Sequence, residues 1–98
     1  VKIEWTPAAL ADRDAIFDYI EADSPLAAIS VDERIEAAVE RLIDFPESGR
    51  PGRVEGTREL VMTNAPYILP YRILDDRVCI LRVLHSARLW PDKLSNNE

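Results

Sequence analysis

Twice within its first 25 residues the chain reads a hydroxyl side chain followed by proline, at Thr6-Pro7 and at Ser24-Pro25. A Thr or Ser oxygen can accept one of the orphan N–H groups that open a helix, and proline at the first helical position gives up no hydrogen bond. Each step is followed by apolar residues at helical spacing: Leu10, Ile16, Phe17 and Ile20 after the first, then Ala28, Val31, Ile35, Ala38, Val39, Leu42 and Phe45 after the second. Asp12, Arg13, Asp14, Asp18 and Glu21 fill the remaining face of the first helix, which ends by about Asp23, and Pro46 stops the second. So short a link makes the two helices antiparallel neighbours, an αα-hairpin whose apolar stripes need a second layer to pack against.

That layer is legible on either side of the hairpin. Val1 to Trp5 alternates apolar and polar residues as a half-buried strand does. Residues 46–56 are dense in Pro, Gly and Arg and predict a loop without a regular element. Three strands follow, at about 57–62, 67–74 and 77–84, broken by Asn64-Ala65-Pro66 and turned at Asp75-Asp76. The expectation is one α+β domain over residues 1–98, in the order strand, helix, helix, three-stranded antiparallel meander (βααβββ), with a basic tail carrying Arg88 and Trp90.

A tight turn at Asp75-Asp76 pairs Arg72 with Cys79 and Leu69 with Arg82. One face of the meander then carries Tyr67, Leu69, Tyr71, Ile73, Val78, Ile80, Arg82 and Leu84, the set suited to the helices. The other carries Ile68, Pro70, Arg72, Cys79, Leu81 and Val83. One layer of helices covers one face, so the second set is expected as an exposed apolar strip that docks a partner, unless the loop or the tail covers it.

Composition narrows the function. At 98 residues the chain has one modest core. Its single Cys79 suggests a reduced packing residue, and the sequence shows neither an export signal nor 18 consecutive apolar residues, so a cytoplasmic protein with no membrane partner is expected. The net charge of −6 divides into −8 over residues 1–48 and +2 over residues 49–98. Two readings stand: helices with solvated acids beside strands that carry arginine, or a bipolar surface with one anion-facing side.

One Cys and one His make no metal site, and no cofactor is called for. Ser86 beside His85 lacks a placed acid, and the Gly-rich loop lacks the flanking strand, helix and Lys of a phosphate loop. What remains is arginine: Arg50, Arg53, Arg58, Arg72, Arg77, Arg82 and Arg88, interleaved with His85, Tyr67, Tyr71 and Trp90. Arginine beside aromatics suits phosphate contact and base stacking, and His85 is the one side chain whose ordinary pKa suits proton transfer at neutral pH.

The segments Gly49-Arg50-Pro51-Gly52-Arg53, Thr57-Arg58-Glu59-Leu60-Val61, Tyr67-Ile68-Leu69-Pro70-Tyr71-Arg72-Ile73 and Leu81-Arg82-Val83-Leu84-His85, followed by Ala87-Arg88 and Trp90-Pro91, occur in an order and spacing that resemble the RelE/ParE superfamily of toxins from bacterial type II toxin–antitoxin modules. The resemblance covers nearly the whole chain. It implies a toxin held inactive by a cognate antitoxin in a hetero-oligomeric complex, with either ribosome-bound mRNA (RelE-like) or DNA gyrase (ParE-like) as the target.

Carried over position by position, the RelE-like cations are mostly missing. Two expected lysines fall on Glu59 and Val61, an expected arginine falls on Ile68, the tail tyrosine falls near Leu94, and only Arg88 survives. A site that works by charge stabilisation loses orders of magnitude in rate without them. The ParE-like pattern fits better, with an apolar Ile68, Arg72 after the second tyrosine and an Arg-Val-Leu-His end to the last strand. The expected target-binding residues are Arg50, Arg53, Arg72, His85, Arg88 and Trp90, and the expected antitoxin-binding residues are Ile68, Pro70, Arg72, Cys79, Leu81 and Val83. The alternatives are a ribosome-dependent endoribonuclease using Arg53, His85 and Arg88, and a decayed toxin that only binds antitoxin. Arg82 is expected to turn toward the helices and pair with one of their acids.

Overall fold

Thr6 and Ser24 cap their helices as predicted. Thr6 Oγ1 accepts the Ala9 N–H at 3.0 Å and Ser24 Oγ accepts the Ala27 N–H at 3.2 Å, which sets α1 at Pro7–Glu21 and α2 at Pro25–Glu40. In this computed structural model residues 1–88, 90, 91 and 94 are described. The two stripes are shorter than expected. α2 tightens into a 3-10 turn at Arg41–Ile43, so Phe45 lies past the helical repeat and is 66% exposed. Leu10 is 47% exposed because the small Ala9, fully buried, is the residue that α1 turns to the sheet at its first turn.

The strands are β1 (Lys2–Trp5), β2 (Arg50–Pro51), β3 (Arg58–Val61), β4 (Tyr67–Ile73), β5 (Arg77–Ile80) and β6 (Leu84–His85). They form one sheet in the order β1-β5-β4-β3-β2, with β6 also on β4. β1 runs parallel to β5, with Glu4 beside Cys79, and the other pairs are antiparallel. Two expectations are corrected here. The loop does contain a regular element, since Arg50 and Pro51 pair with Glu59 and Arg58. Proline is tolerated there because β2 is an edge strand.

The last strand, expected to run unbroken over 77–84, is interrupted. Tyr71 stands opposite Ile80, yet Tyr67 stands opposite His85, so Arg82 and Val83 both face Leu69 across a one-residue bulge. α1 satisfies the backbone groups that the bulge frees: the Thr6 hydroxyl donates to the Leu81 carbonyl at 2.8 Å, and Asp12 Oδ2 accepts the Val83 N–H at 2.9 Å. The bulge moves Val83 onto the helix side and Leu84 to the opposite face, beside Ile68.

Between helices and sheet lies the main core, in which Ile35, Val39 and Leu42 of α2 meet Leu69, Tyr71, Val78, Ile80 and Val83. Burial of each such side chain contributes about 1.5–3 kcal/mol. Tyr71, fully buried, places its hydroxyl at the core's edge, where it accepts the Gly49 N–H at 2.9 Å and donates to the Pro46 carbonyl at 2.7 Å. A Cβ at Gly49 would stand 2.5 Å from that hydroxyl, so only glycine permits the approach. Arg13 ties three elements together: its guanidinium bonds both oxygens of Asp32 at 2.8 and 3.0 Å and lies 4.6 Å from the centroid of the Trp5 ring.

The face of the sheet away from the helices was expected to be an exposed strip, and it is not. Ile68, Pro70, Cys79 and Leu81 are buried, because Val54 of the loop and Leu94 of the tail pack over Cys79 and Leu81. Val83, expected on this strip, lies in the helix-side core instead. Among the described residues no helix is long and apolar enough to cross a membrane.

Candidate functional site

The arginines divide into places with different chemistry. Glu59 projects from β3 onto the outer face and is 2% exposed. Its Oε1 accepts from Arg50 Nε at 3.0 Å and Nη2 at 2.9 Å, and its Oε2 accepts the Arg53 N–H at 2.8 Å and Arg53 Nε at 3.3 Å. Burial alone would raise the carboxyl's pKa, but the Arg53 N–H and the two guanidiniums outweigh it, and the group is held below its ordinary range. Both arginines keep about half their surface in water, at 52% and 50%. Arg53 also lies under the Trp90 ring, 3.6 Å from its centroid.

Expected site residues Arg50, Arg53 and Trp90 are therefore brought together, around a carboxylate that the sequence reading treated only as a missing lysine. The signal available was an isolated acid on a strand between arginine-rich segments. Arg72 lies on the same face, with Nη1 at 3.4 Å from the Glu55 carbonyl. Arg82 turns to the helices as expected and binds both Asp12 oxygens at 2.7 and 2.9 Å.

His85 and Arg88 fall elsewhere, in a groove of about 500 Å³ between α1 and β6. Ile16, Ile20 and Val83 give it an apolar lining, and Tyr19, Tyr67, His85 and Arg88 line it as well. The Tyr67 and His85 rings meet edge to face at 5.8 Å. His85 Nδ1 accepts the Ala87 N–H at 3.1 Å, so a neutral imidazole carries its proton on Nε2 and donates outward. Burial pushes the Tyr67 phenol up, with the Arg88 charge opposing, and the hydroxyl stays protonated. Arg88 is exposed; its backbone N–H donates to the His85 carbonyl at 3.2 Å, and its guanidinium makes no hydrogen bond or ion pair among the described residues. Asp12, the groove's carboxylate, is already occupied by Arg82 and the Val83 N–H. What the groove offers is an apolar lining set among donors. Sequence reasoning missed Tyr19 and Asp12, because only folding brings α1 beside the chain's last strand. Among the described residues no cluster of His, Cys, Asp and Glu could hold a metal ion.

A βαα unit against a meander, with arginines and aromatics at the tail, defines a toxin of the RelE/ParE superfamily. Residues 3–90 match the family model described as ParE toxin of type II toxin-antitoxin system, parDE, and the chain belongs to that family. It is 52% identical over 93 residues to the putative toxin Y4kP of Sinorhizobium fredii, covering 95% of this chain and 96% of that one. It is 43% identical over 88 residues to toxin RelE2 of Caulobacter vibrioides, covering 90% and 98%. Among solved structures it resembles a chain of the chromosomal ParDE system from P. aeruginosa, with a TM-score of 0.78 and 32% identity over 87% of this chain and 95% of that one.

Proposed function

We propose that this ParE-like toxin acts in the cytoplasm by gripping a protein of DNA topology, DNA gyrase, and that a cognate antitoxin neutralises it in a hetero-oligomeric complex. The observation that carries the choice of a protein target over RNA is Glu59. A carboxylate clamped by Arg50 and Arg53 stands where an RNA-cutting relative needs cations, and it offsets one of the two arginine charges. A phosphorane would meet a carboxylate set among the cations there, whereas a protein surface can use half-exposed guanidiniums and an aromatic ring as anchors. His85, oriented by the Ala87 N–H and, among the described residues, by no carboxylate, is a donor in a groove rather than a general base.

The groove suits the antitoxin. Its apolar lining takes the apolar face of a partner segment, and the Nε2–H of His85, the Tyr67 hydroxyl and Arg88 take an acid carried beside that face. One relative bears a RelE name, and the ribosome-dependent reading makes an opposite prediction. Antitoxin-free protein should block gyrase supercoiling and trap cleaved DNA; untouched supercoiling, together with A-site mRNA cuts that vanish in Arg88→Ala, would reverse the assignment.

A further inference from the structure

The sheet ends on two strands whose free edges differ. β2 is two residues long and carries Pro51, which has no N–H to offer a further strand. β1 has no proline, glycine or bulge over Lys2–Trp5. Its bonds to β5 come from alternate residues: the Lys2 N–H donates to the Asp76 carbonyl at 3.1 Å and the Thr6 N–H to the Ile80 carbonyl at 3.0 Å. In a parallel ladder the residues between turn both backbone groups the other way. Ile3 and Trp5 therefore offer N–H and C=O to the open side, where no strand among the described residues takes them.

The charges on that edge select what fits it. Lys2 and Glu4 are exposed and stand beside Arg77 and Cys79 of β5, so both belong to the outer face. Glu4 holds Arg77 at 3.3 Å, while Lys2 has the like charge of Arg77 as its neighbour and makes no ion pair among the described residues. We infer that β1 is a self-pairing edge, to which a second copy of this chain adds its own β1 antiparallel about a two-fold axis at Ile3.

In that register Ile3 and the partner's Ile3 exchange both backbone bonds, and Trp5 lies across from the partner's Val1. Lys2 lies opposite the partner's Glu4, and the symmetry repeats the contact on the other side of the axis. An axis at Glu4 would keep backbone bonds to Ile3 and Trp5 but set Glu4 against the partner's Glu4, and like charges directly opposite destabilise a pair. The order Lys-Ile-Glu is thus complementary to itself in one register. A strand of four residues buries far less than the roughly 1,200 Å² of a stable complex, so the dimer is a weak one that fills as concentration rises. The inference rests on edge geometry and charge, and it is independent of the toxin's target.

Sedimentation of the purified chain from about 10 μM to about 1 mM should show dimer growing with concentration, and the Ile3 and Trp5 amide protons should exchange more slowly as it does. Lys2→Glu and Glu4→Lys should each weaken self-association by about tenfold or more, since each turns two attractive contacts into repulsive ones. Lys2→Glu chains carry acid at both positions and Glu4→Lys chains carry base at both, so an equimolar mixture should form a heterodimer that neither variant forms alone. A variant that had merely lost its fold would not be rescued by mixing. A wild-type chain that stays monomeric at the highest concentration would overturn the inference. So would single variants that dimerise like the wild type, or a mixture that fails to associate. Ile3 and Trp5 amides protected only when an antitoxin segment is added would give the edge to that partner instead of a second copy.

Discussion

Glu59→Gln removes one charge from a nearly buried position and leaves two arginines facing an amide. The carboxylate accepts four hydrogen bonds, two on each oxygen. A glutamine keeps one oxygen, which can serve either Arg50 or the Arg53 N–H, while its NH2 group confronts the donors on the other side. Two bonds involving charged groups are lost, each about 1.5–3 kcal/mol when fully shielded. The guanidiniums are half in water and recover part of that by rehydration. The net cost is about 2–3 kcal/mol, and at about 4–8 °C per kcal/mol for a domain of this size the melting temperature should fall by about 10–20 °C.

The pH dependence separates charge from packing. The folded pKa of Glu59 lies below its ordinary value of 4.5, so its contribution is fully present above that value and is lost as pH falls through the folded pKa. The gap between wild type and Glu59→Gln, read from urea unfolding, should be complete at neutral pH and shrink as the medium becomes strongly acidic. A gap that is equally large in acid, or absent at neutral pH, would refute the clamp.

Other contacts make separate predictions. Tyr71→Phe leaves the buried Gly49 N–H without its acceptor and the Pro46 carbonyl without its donor; chemical unfolding should show a loss of about 1–3 kcal/mol, and a neutral result would mean the loop is held by other contacts. Asp12→Ala should cost about 2–4 kcal/mol, because it strands both the Val83 N–H and Arg82. Asp12→Asn, which keeps an acceptor for Val83, should cost about half as much; equal costs would show that the bulge does not depend on that bond. For the groove, Arg88→Glu should weaken antitoxin binding at least tenfold in a calorimetric titration without lowering the melting temperature, and undiminished affinity would exclude the groove as the docking place.

The elements made from neighbouring residues were legible in the sequence. Both helix starts follow from Thr6-Pro7 and Ser24-Pro25, and the pairing of Arg72 with Cys79 follows from the turn at Asp75-Asp76. The arginine cluster was readable only as a list. Arg50 and Arg53 share Glu59 because β2 lies against β3, and His85 and Arg88 belong to another place because β6 and the turn after it lie beside α1.

What the sequence by itself determined is the local punctuation: where helices begin and stop, where strands turn, and that two helices must lie on a meander. These depend on cap chemistry, proline geometry and side-chain period, which act over a few residues. Only tertiary structure decided the rest. The bulge at Arg82-Val83 is held because Thr6 and Asp12, about 70 positions earlier, donate and accept where the strand's own ladder fails. It reverses the facing of Val83 and Leu84, since a shift of one residue exchanges the two sides of a strand. The outer face is buried because a single helical layer leaves one side of an apolar sheet in water, and the nearest chain able to cover it is the loop at Val54 and the tail at Leu94.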